Sequence, residues 1–286
     1  MIIKFYDDVN EFLDECGLRL EENETENGLM LGLCLKAKNA KEQGEEFPIN
    51  LVGVWDEDIL ISTAIQTPPH NLVISNLTSE EVAKSLSFAL KEKGYSLPGV
   101  VGQEKEASTF AKQWKNVSGL SPKLLGKQRI YELNQVQMPE HVSGVCREAR
   151  LDDAETIAQW YEAFSEEVLG QKKPLNLESA KNTINNGNIY VWEDQDTLVS
   201  MAVTLNPTPN GIRINSVYTP PEHRGHAFAA ANVATICQEQ LDQGRRPFLY
   251  ADNDTPASNA MYKKIGFNHV SNSELYTFEH AHDLIT

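Results

Sequence analysis

The residues of this chain best placed to do chemistry lie in one stretch, Val217-Tyr218-Thr219-Pro220-Pro221-Glu222-His223-Arg224-Gly225-His226-Ala227-Phe228-Ala229. An alternating segment, Ile212, Ile214 and Ser216 against Arg213 and Asn215, runs into a Pro-Pro turn and an Arg-Gly loop. A long segment of helical period follows. A loop that opens a helix exposes backbone N–H groups without intrahelical partners, at the positive end of the helix dipole. Small residues let a phosphate approach that backbone closely, so the chemistry expected here is anion binding.

Several elements must position that loop. Cys146 to Ala149 reads as a short strand, and Leu151-Asp152-Asp153-Ala154-Glu155 as a helix start with acid in its first turn. That helix carries Ile157, Trp160, Tyr161 and Phe164 on one face. Strand-like segments follow at 189–192, 198–205 and 212–218. The pair Asn210-Gly211 signals a hairpin turn, because its central positions favour positive φ. From Phe228 to Leu241 the positions Ala230, Val233, Ala234, Cys237 and Leu241 recur at helical spacing, and Gly244 is placed to end the helix. A strand over 247–251 precedes Thr255-Pro256, an N-cap threonine with proline at the first helical position. Gly266 ends that helix, and 275–278 reads as a closing strand.

The first half repeats this order more weakly. Leu51 to Trp55 and Ile59 to Ile65 read as a strand pair with Asp56 to Asp58 as the turn. Val73 to Ser75 is the next strand, and Ser79 to Lys93 an amphipathic helix ending at Gly94. Val100-Val101 and Glu104 to Trp114 give a further strand and helix. At the junction equivalent to the Arg-Gly loop stands Asn76-Leu77-Thr78-Ser79-Glu80, without that signature. The polar stretch from Asn134 to Val145 separates the halves and reads as a linker.

Composition bounds the class. With 286 residues the chain has room for two domains of ordinary size, and 41% hydrophobic with 23% charged residues fits a globular protein. A net charge of −16 argues against a nucleic-acid binder, which needs a basic face. Cys16, Cys34, Cys146 and Cys237 lack metal-ligand spacing, so a reduced, cytoplasmic setting is expected over a disulfide scaffold. No apolar run reaches the roughly 18 residues of a membrane span, and no export signal is visible.

The order strand, Arg-Gly loop, helix, strand, then Asn259-x-x-Tyr262-x-x-x-Gly266-Phe267 resembles the GNAT superfamily of acyl-CoA-dependent N-acyltransferases. The match covers roughly 146–278 and is strongest over 214–267. It looks close to tandem members with a degenerate first copy. The resemblance implies an α+β fold, a mixed, mostly antiparallel central sheet flanked by helices, with two such domains in tandem. Residues 1–135 would be the degenerate copy, 136–145 the linker and 146–286 the acetyltransferase domain.

The resemblance also implies roles. The family's loop pattern falls on Arg224, Gly225, His226, Ala227, Phe228 and Ala229, whose backbone N–H groups would hold the pyrophosphate of coenzyme A. Val217, Tyr218 and Thr219, where the preceding strand splays, would pair with the pantetheine arm and polarise the thioester carbonyl. Tyr262 falls where the family has the tyrosine that protonates the departing thiolate, and Asn259 where many members face the pantetheine. Glu193 and Glu222 are the candidate bases. Two positions depart from the pattern: Ala227 stands for the usual glycine and Thr255 for a common asparagine. If the site of Ala227 needs positive φ, its methyl group costs on the order of 1 kcal/mol.

Blander roles compete. His223 and His226 read best as exposed loop histidines, Cys237 as core, and the run Glu21-Glu22-Asn23-Glu24-Thr25-Glu26 as a solvated loop. Trp160, Tyr161 and Phe164 could line an acceptor pocket or simply pack. The expected function is transfer of an acetyl group from acetyl-CoA to a primary amine, on a small molecule or a peptide, by direct attack in a ternary complex. No metal, nucleic acid or membrane is expected to take part, and a monomer or homodimer is expected. A non-catalytic acyl-CoA-binding or interaction protein is the alternative. A nucleotide-binding α/β protein fits less well, because the strand before the loop follows antiparallel hairpin signals.

Overall fold

The structure, a computed structural model, describes residues 1–170 and 172–280. In chain order the elements are β1 (Ile2–Tyr6), α1 (Val9–Glu21), α2 (Gly28–Glu42), β2 (Asn50–Asp56), β3 (Ile59–Gln66), β4 (Leu72–Ser75), α3 (Glu80–Glu92), β5 (Gly99–Gln103), α4 (Glu104–Ser118) and β6 (Ser121–Glu132). Then come β7 (Val145–Glu148), α5 (Ala154–Leu169), α6 (Leu177–Asn185), β8 (Ile189–Asp194), β9 (Thr197–Leu205), β10 (Gly211–Tyr218), α7 (Phe228–Asp242), β11 (Arg246–Asp252), α8 (Pro256–Ile265) and β12 (Asn268–Glu279). The chain groups into two compact units. Unit 1 holds Met1–Ile130, Ala251–Thr255 and the chain from His269; unit 2 holds Tyr131–Tyr250 and Pro256–Asn268.

In unit 1, β1, β2, β3 and β4 pair antiparallel in sequence order, and β4 then pairs β5 in parallel. One face is covered by α1 and α2, whose Phe12, Leu20, Met30 and Leu31 pack with Leu51 and Ile65. The other is covered by α3 and α4, whose Leu86, Phe110 and Trp114 pack with Val54, Ile74 and Val100. Unit 2 repeats the plan. There β7, β8, β9 and β10 pair antiparallel, and β10 pairs β11 in parallel. Ile157 of α5 and Ala180 of α6 pack with Val191, Met201 and Val203 on one face. Phe228 and Ala231 of α7 pack with Trp192 and Val199. The mixed, mostly antiparallel α+β architecture is as expected.

Four particulars differ from the sequence reading. The closing strand is longer than 275–278 and is grouped with unit 1, where it pairs antiparallel with β5, Ser273 against Gln103 through Thr277 against Gly99. The β9–β10 connection is not a two-residue Asn-Gly turn. Its prolines make it five residues long, Asn206 takes the positive φ (48°), and Gly211 already begins β10. Glycine is needed there for space, since a Cβ would lie 2.7 Å from Thr208 Oγ1. The acidic run is not wholly solvated: Glu24 and Thr25 are buried. Finally, periodicity assigned nothing to the first 42 residues, which form β1, α1 and α2.

The stretch expected as a linker carries no helix or strand through Gly144, but it is tied down. Gln137 N donates to Ile265 O at 2.7 Å, and Trp192 Nε1 donates to Ser143 O at 2.8 Å. Gly266 (φ 111°) closes α8 where a Cβ would lie 2.5 Å from Gln135 O, so that position demands glycine twice over.

Candidate functional site

Unit 2 builds its site at the end of β10. Strands β10 and β11 pair only over Gly211–Arg213 against Arg246–Phe248, while β10 runs on to Tyr218 and β11 to Asp252. Their C-terminal halves therefore stand apart as an open V. On its other edge β10 keeps register with β9 to Asn215 and resumes it at Tyr218, so Ser216 and Val217 oppose the single residue Ala202. This is a β-bulge, which takes backbone groups out of the ladder and turns them aside. Ser216 has φ 46°, and its N–H donates to Asn215 Oδ1 at 2.6 Å. Asparagine before serine supplies locally the bond that a regular strand would make across the sheet.

The exit from the strand is fixed from β9. Ser200 Oγ donates to Tyr218 O at 3.1 Å, and Thr219 Oγ1 donates to Ser200 Oγ at 3.0 Å. After the prolines, Arg224 folds back: Nε donates to Thr219 O at 2.9 Å, and Nη2 pairs with Glu167 of α5 at 2.7 Å. The Arg224 side chain is thus a brace for the loop, and the backbone is left to meet an anion. Gly225 has φ 87° and Ala227 has φ 61° with ψ 14°, so the alanine does occupy the left-handed region. Helix α7 starts at Phe228 with no side-chain cap and no acid in its first turn. Its first N–H groups are free to serve a ligand, in the field of the dipole. His226 is exposed and stacks on Phe228 at 5.5 Å, which keeps the histidine a loop residue as expected.

Helix α8 brings Asn259 and Tyr262 inward, both buried. Tyr262 meets Phe267 edge-on at 5.7 Å and Tyr131 at 6.4 Å. Burial, and secondarily the nearby Cys237 thiol, pushes the Tyr262 phenol far above its ordinary range, so it holds its proton throughout neutral pH. Asn259 Oδ1 accepts from Tyr131 Oη at 2.9 Å. The sequence reading missed Tyr131, a fully buried aromatic 128 residues away in sequence. No local signal marks it, because its role comes from packing alone.

The two candidate bases fare differently. Glu193 Oε2 accepts from Arg147 Nε at 2.6 Å, and the same guanidinium reaches Asp153 at 2.7 Å. The Glu193 charge is thereby spent on a structural ion pair that joins β7, β8 and the turn before α5. Glu222 is exposed beside the loop. Cys237 is wholly buried and its thiol pushed up, in keeping with a core residue. Trp160 packs on Tyr218, ring centres 6.3 Å apart. A polar recess of about 400 Å³ lies in unit 1 around Lys127, Arg129, Asn253 and Glu274 and holds none of these groups. Among the described residues, no group of three His, Cys, Asp or Glu side chains is placed to hold a metal ion.

Residues 125–276 match the family model of the GNAT acetyltransferases. The chain belongs to the GNAT acetyltransferase family. It is accordingly an acyltransferase. Solved structures share the architecture over nearly the whole chain. A Drosophila protein matches with TM-score 0.70 and 11% identity, covering 98% of this chain and 99% of its own. A GNAT-family acetyltransferase from Colwellia psychrerythraea matches with TM-score 0.55 and 11% identity, over 98% and 100%. A GCN5-related N-acetyltransferase from Sphaerobacter thermophilus matches with TM-score 0.54 and 15% identity, over 84% of each. At such identities they speak for the fold alone. No curated protein matches the sequence.

Proposed function

We propose that unit 2 transfers the acetyl group of acetyl-CoA to a primary amine by direct attack, with both substrates bound together. The observation that carries this reading is the uncapped, acid-free start of α7, which follows a strand that is bulged against β9 and parts from β11 over its last residues. Pyrophosphate oxygens fit the backbone of Gly225 to Ala229, and the pantetheine arm fits along Val217 to Thr219. Acetyl-CoA supplies the activated acyl group.

The chain's own groups then do the following. The backbone of Val217 to Thr219, fixed by Ser200 on Tyr218 O while Asn215 Oδ1 takes the N–H of Ser216, supplies the N–H that stabilises the oxyanion as nitrogen attacks; such a donor contributes about 3–4 kcal/mol in well-studied cases. The new C–N bond forms and the C–S bond breaks; Tyr262, which burial keeps protonated, donates its phenol hydrogen to the departing sulfur, and the proton released by the ammonium restores the balance so that coenzyme A leaves as its thiol with the phenol intact. The ammonium proton leaves to solvent or to Glu222, because Glu193 is engaged by Arg147.

Thermal unfolding with acetyl-CoA, coenzyme A, ATP or NAD tests the reading. A ligand at about 100 times its dissociation constant adds about 2.7 kcal/mol of stability. The expected result is a rise in Tm with acetyl-CoA and coenzyme A, lost in Arg224→Glu, and none with ATP or NAD. No rise with millimolar acetyl-CoA overturns it.

A further inference from the structure

Arg213 stands at the closed end of the V, in the last residue pair that joins β10 to β11. It lies directly opposite Leu205, as Asn215 lies opposite Val203 and Tyr218 opposite Met201, and opposed residues share a face of the sheet. Met201, Val203 and Tyr218 pack with α5 and α6, so Arg213 is on that side, away from the α7 side. An acyl group entering from the start of α7 through the V emerges on the face that carries Arg213.

Among the described residues the guanidinium there has no counter-charge. Arg147 is matched by Asp153 and Glu193, and Arg224 by Glu167. Among the described residues no carboxylate pairs with Arg213, which lies over the ring of Tyr250 with Cζ 4.4 Å from its centre. Its Nε is buried without a hydrogen-bond partner. So is Thr208 Oγ1, which lies against the Cα of Gly211, two residues earlier on the strand. A buried cation without an anion is costly, and proteins supply one or leave the place for a ligand to do so.

The distances fit a short ligand. Tyr250 is two residues past Phe248, the register partner of Arg213, so the side chain leans about two residues towards the open end. From Arg213 to Val217 is four residues, about 13 Å at 3.3 Å each, and the lean leaves about 6 Å between guanidinium and bulge. That gap suits a carboxylate held by the guanidinium with an amine one or two carbons away.

We propose that the acceptor is a small amino acid, its carboxylate bound by Arg213 with help from Thr208, and its amine presented to the acyl carbon at the bulge. This rests on the acetyl-transfer reading above. Attack by the amine forms the amide C–N bond and releases coenzyme A as its thiol, so the product is an N-acetylamino acid.

Coenzyme A release from acetyl-CoA, followed across the common amino acids and their amides, tests it. A charge-assisted contact of this kind separates acid from amide by about 10- to 100-fold. The expected result is at least one amino acid preferred over its amide by that factor, mainly through KM. Arg213→Gln brings the ratio to about one, and Arg213→Lys keeps part of it; a Tm rise with acetyl-CoA certifies each variant as folded. Equal use of acid and amide by the unaltered protein, or turnover only of carboxylate-free amines such as spermidine, overturns this inference and leaves acetyl transfer standing. An equal loss towards acid and amide in Arg213→Gln also overturns it, by reducing Arg213 to a structural role. No Tm rise with acetyl-CoA and no turnover of any amine overturns both.

Discussion

Unit 1 and unit 2 follow one strand order and then diverge at the same junction. Each has a positive-φ residue near the end of its fourth strand, Asn76 (φ 58°) just past β4 in unit 1 and Ser216 (φ 46°) at the bulge of β10 in unit 2. In unit 1 the next helix is closed by its own chain: Ser79 Oγ accepts from Val82 N at 3.3 Å, and Glu80 and Glu81 fill the first turn. The backbone N–H groups of Leu77 and Asn76 face the carboxyl of Glu106 and favour its charged form. In unit 2 the corresponding helix has neither cap nor acid. The buried face of α4 presents Ala107, Phe110, Ala111 and Trp114, where α8 presents Asn259 and Tyr262. One fold thus caps this helix start from its own chain in unit 1 and leaves it uncapped in unit 2, where the anion proposed above would bind. The difference lies in a handful of polar side chains, since the cores are built alike.

The comparison breaks first at Tyr262. Tyr262→Phe keeps the ring packing and removes the proton donor, so kcat falls by about 100-fold while the KM for acetyl-CoA changes little. Steady-state kinetics measure this; an unchanged kcat removes Tyr262 from the chemistry and leaves the two helices differing in packing only.

Glu106 sharpens the comparison from the other side. Burial pushes its carboxyl up to about 7, against the two backbone N–H groups that lower it, with Glu26 adding to the rise. The folded state therefore binds this proton more tightly than the unfolded chain does, and stability is lost as pH rises from about 4.5 to about 7. Glu106→Gln removes that slope and gains on the parent protein by about 2–3 kcal/mol across the window. Urea denaturation at pH 4.5 and pH 8 reads it. Parallel curves for the two proteins would show that Glu106 ionises as freely in unit 1 as in water.

The smallest pair of effects has opposite signs. Ser79→Ala removes a cap and costs about 1 kcal/mol. Ala227→Gly relieves a left-handed alanine and gains about 1 kcal/mol, with the Tm rise on adding acetyl-CoA retained. A loss of stability in Ala227→Gly would mean that glycine's extra freedom in the unfolded chain outweighs the relief.

Much of this was legible beforehand because it is local. The Arg224-Gly225 loop, the span of α7, the Pro256 start of α8 and the glycines that end helices each depend on a few neighbouring residues, whose backbone preferences act over one or two turns. The left-handed strain at Ala227 followed from the same reasoning. The engagement of Glu193, a candidate base, was not legible because its partner, Arg147, lies 46 residues away on another strand. The Asn210-Gly211 signal marked a real β9–β10 hairpin but not its turn, because Pro207 and Pro209 next to it make the loop longer. Glu24 and Thr25 looked solvated because composition says nothing of what covers a segment.

The sequence by itself determined where strands and helices run, which loop is fit for an anion and that the plan is repeated, since periodicity, turn chemistry and the absence of a cap are properties of contiguous residues. Tertiary structure alone decided that β12 lies against β5, that Tyr131 holds Asn259, that Arg147 engages Glu193 and that Arg213 Nε is buried without a partner among the described residues. Those outcomes depend on which distant groups burial brings within hydrogen-bond distance, and a charge is free or spent only once all its neighbours are in place.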